Sequence, residues 1–361
     1  MKGGAVCVLA IVVLLAVAAS AGTYSGGTGE PNDPYRIATA EDLNDIGNHV
    51  EDFNKCFVMV NDINLADYNG TQFNIIGSGD FFCGVFDGNG YAISNFTYDG
   101  EGANVGLFGR LFFRFEHPSR ALIKDLTLIG PNVSAQFADS AGALVAVLAD
   151  GTVRGCRIQG GRISGGSNCD TGGLVGANGG RIEECCSTAS VSGGHYVGGL
   201  VGAMIEFKPM GIDLISNCYS AGSVSGPANF IGGLVGANAH TVENSYSCGK
   251  VAVDPNAGGL VGYSHEHAPY VKCFWDSDVN PDVNGIGHMT DPNVIGKTTA
   301  EMQTESTFTN AGWDFVEVWN IGENQTYPFL RTHPPGDIDH DDKVDWFDVA
   351  ILAGHWLEGA D

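Results

Sequence analysis

Apolar positions in this chain fall in short runs broken by glycine, and one run keeps returning. GGLVG occupies 172–176, 198–202, 232–236 and 258–262, with looser copies VGLFG at 105–109 and GALVA at 142–146. The leucines of the six copies (Leu107, Leu144, Leu174, Leu200, Leu234 and Leu260) are 37, 30, 26, 34 and 26 residues apart. A base period near 26 with variable insertions marks stacked supersecondary units. Each unit joins the pentapeptide to a second β-type run, such as RIEECCSTASV or LISNCYSAGSV, through a glycine corner. Neither run has the 3.6-residue rhythm of an amphipathic helix. A coil of two or three short strands cannot bury its apolar side alone, whereas a stack of coils points its leucines into a shared interior. Glycine serves the tight corners and the close approach of one coil to the next. The pattern therefore predicts an all-β chain wound as a parallel β-helix. GALVA lacks the glycines that flank LV elsewhere, so a distorted coil is expected there.

Aligned on the leucines, Cys156, Cys185, Cys218 and Cys273 form one column, with Ser245 in the fourth copy. Parallel rungs lie about 4.8 Å apart, which is wide at Cβ for a relaxed disulfide. No CxxC pair or Cys/His quartet suggests a metal. The column reads as stacked core thiols. Leucine-rich repeats, the nonapeptide calcium roll and propeller blades do not fit the spacing, and DGNG at 87–90 reads as a hairpin or corner turn.

The open ends of such a stack expose strand edges that need cover. Thr39 is a plausible N-cap for a helix whose Leu43, Ile46 and Val50 form a stripe. TTAEMQTES at 298–306 offers a similar short helix near the other end, before AGWDF and the run toward Pro328.

Composition narrows the partners. The 361 residues include 53 glycines and carry a net charge of −25. No basic stripe exists to displace counterions, so nucleic acid and anionic lipid are excluded as partners. Lys2, the apolar run Ala5–Val17 and Ala19-Ser20-Ala21 form a signal-peptide pattern with cleavage expected after Ala21. Nine of the ten cysteines would remain, and no later stretch is long enough to cross a membrane.

GGLVGANGG with CCSTASV, and GGLVGAMIE with NCYSAGSV, resemble the GLUG motif of secreted bacterial surface proteins. Similar segments occur in adhesin-like and immunoglobulin-A-peptidase-type polypeptides, where they are repeats and not the catalytic unit. The resemblance extends over most of 28–332, through PNDPYRIATAEDLNDI, GVFDGNGYAISNF, CFWDSDV and AGWDF. It implies a right-handed, pectin-lyase-like single-stranded solenoid with an extracellular role and no defined reaction.

Insertions mark where function is expected. Between the leucine and the cysteine column, extra length falls in 111–120, 203–212 and 263–270. All three leave the coil after the same strand and should emerge along one side. They bring Phe112, Phe113, Phe115, Phe207, Tyr263, His265, His267 and Tyr270, a candidate face for sugar rings or a protein partner. A cluster of Arg154, Arg157, Arg162 and Arg181 near Glu183 and Glu184 reads as an ion-paired outer face rather than a cradle for a sugar carboxylate. No residue stands out as a nucleophile or base, and HExxH, GxSxG and phosphate-binding glycine loops are missing.

The tail holds the sharpest local pattern. In GDIDHDDKVDWFDVAILAGHWL (336–357), Asp337, Asp339, Asp341, Asp345 and Asp348 fall at positions 1, 3, 5, 9 and 12 of a calcium loop. Lys343 would add its backbone carbonyl at position 7. Six aspartates within twelve residues repel one another unless a cation relieves them. The segment resembles a dockerin type I repeat, single where dockerins pair two, with Asp342 where glycine normally turns the loop. The resemblance implies Ca2+ and a cohesin-like or surface partner.

The expected organisation is a signal peptide at 1–21, an N-terminal cap and first coils at 22–104, and the repeat β-helix at 105–285. A C-terminal coil and cap follow at 286–332, then the calcium-binding tail at 333–361. The expected function is a secreted or cell-surface, non-catalytic β-helix that presents a binding face for adhesion, for a polysaccharide or cell-surface glycan, or for a protein partner. A polysaccharide hydrolase or lyase, a component of a polysaccharide-degrading assembly, or a purely structural spacer are the alternatives.

Overall fold

A computed structural model describes residues 22–112, 121–205, 213–227 and 229–331, which wind a right-handed parallel β-helix. One coil shows the path. Thr152–Arg154 belongs to a first sheet of nine strands, Arg157–Gln159 to a second of nine, and Arg162–Gly165 to a third of five. Asp170–Gly172 and Val175–Asn178 then supply two strands to a fourth sheet of twelve. The next coil repeats the path from Arg181–Glu183 to Val201–Met204. Residues one coil apart are direct partners: Val153 pairs with Ile182, Ile182 with Ile215, and Ile215 with Val242. All four side chains are fully buried.

The recurring pentapeptide sits where the chain doubles back within the fourth sheet. All six of its leucines are 0 % exposed. A Cβ on Gly172 would lie 1.9 Å from the Val175 carbonyl oxygen and 2.7 Å from the Gly202 nitrogen, so only glycine lets the fold-back close against the next coil. The coil through GALVA is not distorted. Gly142 keeps its pairing with Gly172 and Val145 with Val175. The copy retains the glycine whose Cβ would strike the Val145 carbonyl at 2.3 Å, and its Ala143 and Ala146 methyls are absorbed with 0 % exposure.

The cysteine column lines the bend between the first and second sheets and does more than fill space. Cys156 N–H donates to Cys185 Sγ (3.3 Å), Cys185 N–H to Cys218 Sγ (3.4 Å), and Cys218 N–H to Ser245 Oγ (3.0 Å). Each thiol or hydroxyl in turn donates to the carbonyl two residues upstream, at 3.1 Å for Cys185 and Cys218 and 2.7 Å for Ser245. Serine replaces cysteine there because the column needs a small donor–acceptor, not only a small hydrophobe. The residue before each column member takes the left-handed conformation: Gly155, Glu184, Asn217, Asn244 and Lys272 have φ between 45° and 63°. The nine described cysteines are free thiols, and burial pushes Cys156 and Cys185 well above the usual thiol range.

Helix α1 (Ala40–Ile46) begins at the expected N-cap Thr39, which forms a capping box with Asp42, and buries Leu43 and Ile46. Val50 is not part of its stripe. The helix ends at Ile46, and Val50 opens a separate 3-10 turn with 51 % exposure. DGNG is a corner rather than a hairpin, because the strands on either side of it, Val85–Asp87 and Ala92–Ser94, lie in different sheets.

The 298–306 segment forms two short helices, α2 (Thr299–Met302) and α3 (Glu305–Thr309), since Thr304 between them is extended. From there to Arg331 the chain forms a strap along the outer face of the second sheet instead of merely closing an end. Met302, Phe308, Trp313, Trp319 and Leu330 pack on Cys186, Tyr246 and Phe274 as a second apolar core outside the coil. Arg157 holds the end of the strap, donating to the carbonyls of Leu330 (3.3 Å) and Arg331 (2.6 Å). The arginine cluster is thereby divided. Arg154 faces Glu183 across the first sheet, where Arg181 also bonds Glu183, while Arg162 lies on the third sheet.

Candidate functional site: an aromatic row on the fourth sheet

The three insertions leave the helix from strands of one sheet: Phe108–Leu111, Val201–Met204 and Ala257–Ser264 all belong to the fourth. Their described aromatic residues do not form one face. Phe112 is half-buried and stacks with Phe81 at 5.1 Å, beside the Arg110 guanidinium 4.7 Å over the Phe81 ring. Tyr270 is only 4 % exposed and donates its hydroxyl to Ser264 Oγ at 2.7 Å, so it belongs to the core and not to a ligand face. The column it occupies is inward-facing, as the pairing of Val242 with Tyr270 requires. Phe113, Phe115 and Phe207 lie outside the described residues, as does the whole Asp337–Asp348 loop with Lys343.

Tyr263, His265 and His267 remain at the surface, and the first two join a row the insertions did not suggest. Tyr196 and Phe230 occupy the position two residues before GG in successive coils and pair directly across the sheet. Their rings are 5.8 Å apart. Phe230 meets Tyr263 at 4.9 Å, and Tyr263 stacks on His288 at 4.8 Å with an interplanar angle of 13°. His265 meets Tyr263 edge-on at 5.2 Å, and His195 adjoins Tyr196 at 4.0 Å. Tyr196, Phe230 and Tyr263 are half-buried; His265 and His288 are exposed. The aligned sequence column Ser140, Asp170, Tyr196, Phe230, Asn256 carried the signal for two of these rings. His288 comes from beyond the repeats and had no such signal.

One end of the row is pinned by a hydrogen bond. Asp170, one coil before Tyr196, bonds His195 Nδ1 at 2.7 Å. Burial raises the Asp170 carboxyl above its usual range, and the bond to His195 only partly offsets this. At the other end, Gly287, the neighbour of His288, lines a shallow groove of about 520 Å³ together with Val253, Asp254, Pro255, Pro281 and Asp282. Among the described residues, no group of three or more His, Cys, Asp or Glu could hold a metal ion. None of their helices is long and apolar enough to cross a membrane.

Three similar proteins place the chain in context. A crystal structure titled "putative immunoglobulin A1 protease" from Bacteroides ovatus superposes with a TM-score of 0.62 over 85 % of this chain and 95 % of that one, at 19 % identity. The chain shares that protein's fold. A "Putative Gly-rich membrane protein" of Evansella cellulosilytica is 27 % identical over 90 % of this chain and 48 % of its own length. Halomucin of Haloquadratum walsbyi is 31 % identical over 55 % of this chain and 2 % of its own. The chain thus spans about half the length of the first relative and a small fraction of the second. No family model matches it. At these identities the likeness carries the β-helix; the aromatic row has to be argued from its own geometry.

That geometry suits stacking more than chemistry. Rings in file, open to solvent on one side, can each take an apolar ring face, and aromatic side chains gain from such contact beyond the area buried. The one imidazole–carboxylate pair on the row, His195 with Asp170, holds His195 beside Tyr196 and so fixes the end of the file.

Proposed function

We propose that this protein is an exported or surface-attached β-helix that binds polysaccharide along the fourth sheet and performs no chemistry on it. The aromatic row carries the reading. A soluble solenoid gains nothing in folding from leaving Tyr196, Phe230 and Tyr263 open, and an exposed apolar file of this kind marks an interaction site. The repeats then serve as a ruler that holds the rings at strand spacing. The adhesin-like role implied by the GLUG resemblance agrees with this reading, and the N-terminal signal pattern supplies the route of export.

In the same proposal, the tail at 333–361 binds Ca2+ through Asp337, Asp339, Asp341, Asp345, Asp348 and the Lys343 carbonyl, and docks a cohesin-like or surface protein. The spacing of those carboxylates supports it. The decisive experiment is a glycan array probed with the full chain and with Phe230→Ala and Tyr263→Ala. Binding to at least one polysaccharide class that both substitutions abolish is expected. Binding that survives both would move the site elsewhere, and release of oligosaccharide products during incubation would make the protein an enzyme. Calorimetric titration of Ca2+ into the full chain, against Asp337→Asn/Asp339→Asn, tests the tail separately.

A further inference from the structure

The row also constrains what kind of polysaccharide it takes. We infer that the ligand is an extended, uncharged glycan chain laid parallel to the solenoid axis, with successive sugars engaging successive coils. This rests on the binding role proposed above and adds the ligand's shape and charge.

The direction follows from the register. Tyr196 and Phe230 are directly paired neighbours on parallel strands, and Tyr263, which pairs with Ala237 in the adjoining column of the next coil, brings its ring to 4.9 Å from Phe230. Parallel strands repeat at about 4.8 Å along the axis, the scale on which an extended β-linked pyranose chain repeats. The centroid steps of 5.8 and 4.9 Å match that repeat. A ligand crossing the row at right angles would meet one ring; a chain lying along it meets three, with His195 and His288 at the two ends.

The charge follows from what surrounds the rings. No Lys or Arg occurs among the ring-bearing residues or among those lining the groove next to His288, whereas Asp170 stands at one end and Asp254 and Asp282 at the other. The chain as a whole carries −25. A uronate or sulfated chain would approach against that field with no Lys or Arg among these described residues to receive it, and like-charge juxtaposition of this kind rejects a ligand. An uncharged chain meets only ring faces and hydrogen-bonding edges.

The test titrates the full chain with cello- and chito-oligosaccharides of two to six sugars and with oligogalacturonides of the same lengths, by calorimetry at low salt. Affinity for at least one neutral series should rise severalfold per added sugar up to about four, then level off, and exceed that for the matched acidic series at least tenfold. Phe230→Ala should flatten the length dependence, while Ile129→Ser, an exposed position on the second sheet, leaves it intact. Oligogalacturonides binding as well as or better than the neutral chains, with loss in Phe230→Ala, would overturn the inference and leave the glycan-binding role standing. Neutral binding that is independent of length would overturn the axial placement alone. Binding of no oligosaccharide of either charge, with capture of a protein that Phe230→Ala releases, would end both.

Discussion

The second and fourth sheets each carry a file of aromatic side chains on their outer faces, and among the described residues the chain lays a cover of its own over only one of them. On the second sheet, Tyr219 and Tyr246 stack at 5.2 Å with an interplanar angle of 8°, next to Phe274, and the strap lays Phe308, Trp313 and Trp319 over them. Tyr246 ends 1 % exposed. On the fourth, Tyr196, Phe230 and Tyr263 keep one side in solvent. The same device, an aromatic ladder at strand spacing, therefore has two uses. Where the chain supplies its own partner, it is a second core; where it does not, it is a surface prepared for something else. The covered file should govern stability and the open file binding, and substitutions can set the two apart.

The largest effect belongs to the covered file. Trp319 is 0 % exposed and contacts Tyr219, Tyr246 and Trp313. Trp319→Ala should cost about 3–5 kcal/mol, read from the denaturant midpoint. A loss below about 1 kcal/mol would mean that the strap is an appendage and that the comparison fails. Arg157→Ala comes next. It removes a guanidinium that two strap carbonyls share, and hydrogen bonds from charged donors are worth about 1.5–3 kcal/mol each where they are shielded from water. The expected result is a smaller fall in stability together with early proteolytic cleavage near residue 331. A cleavage pattern unchanged from the parent would show that Arg157 does not hold the strap end.

The open file should behave in the opposite way. Phe230→Ala is expected to change the unfolding free energy by less than about 1 kcal/mol, because the ring is only half-buried. Glycan binding should fall at least tenfold in the same variant. If stability fell by 3 kcal/mol instead, the row would be core that happens to face outward.

The two files also differ in how far they could be read from the amino-acid order. The interior columns were legible because the same letters recur around one landmark: aligning on leucine placed Cys156, Cys185, Cys218, Ser245 and Cys273 together, and they do stack. The start of α1 was legible because Thr39 caps a helix only a few residues away, and the structure adds the reciprocal bond from Asp42. The strap was not, since Trp313, Trp319 and Leu330 follow no period and meet Tyr246 and Cys186 only after the chain has reversed along the coil. Insertion length pointed to Tyr263 and His265 but also to Tyr270, because length cannot tell which side of a strand a residue takes. The register decides that: Tyr270 continues the buried column of Val242. Tyr196 and Phe230 lay in an aligned column, but their meaning depended on Tyr263 and His288 arriving from other segments.

The smallest effect is a difference in sign with pH. Glu301, at the start of α2 on the strap, is held at about 2 by hydrogen bonds from the Thr298 backbone and then from Lys297 and the Thr298 hydroxyl. Its folded value lies below the unfolded one, so its contribution is present above the usual glutamate range and is lost as pH falls from about 4.5 toward about 2. Asp170, at the end of the open row, is shifted the other way by burial. The folded state takes up its proton before the unfolded state does, so that group favours folding in acid and loses this contribution as pH rises through its folded value. Glu301 is well solvated, which keeps its effect small. Comparing each variant with the parent at the same pH cancels the titration of every other group. Glu301→Gln should be slightly destabilising at pH 7 and indistinguishable from the parent near pH 2. Asp170→Asn should match the parent in acid and gain on it toward neutrality, with the gain reduced by the lost bond to His195. Two curves of the same slope would mean that the strap and the row present similar surroundings to their carboxylates, and the contrast between a sealed aromatic file and an open one would lose its electrostatic half.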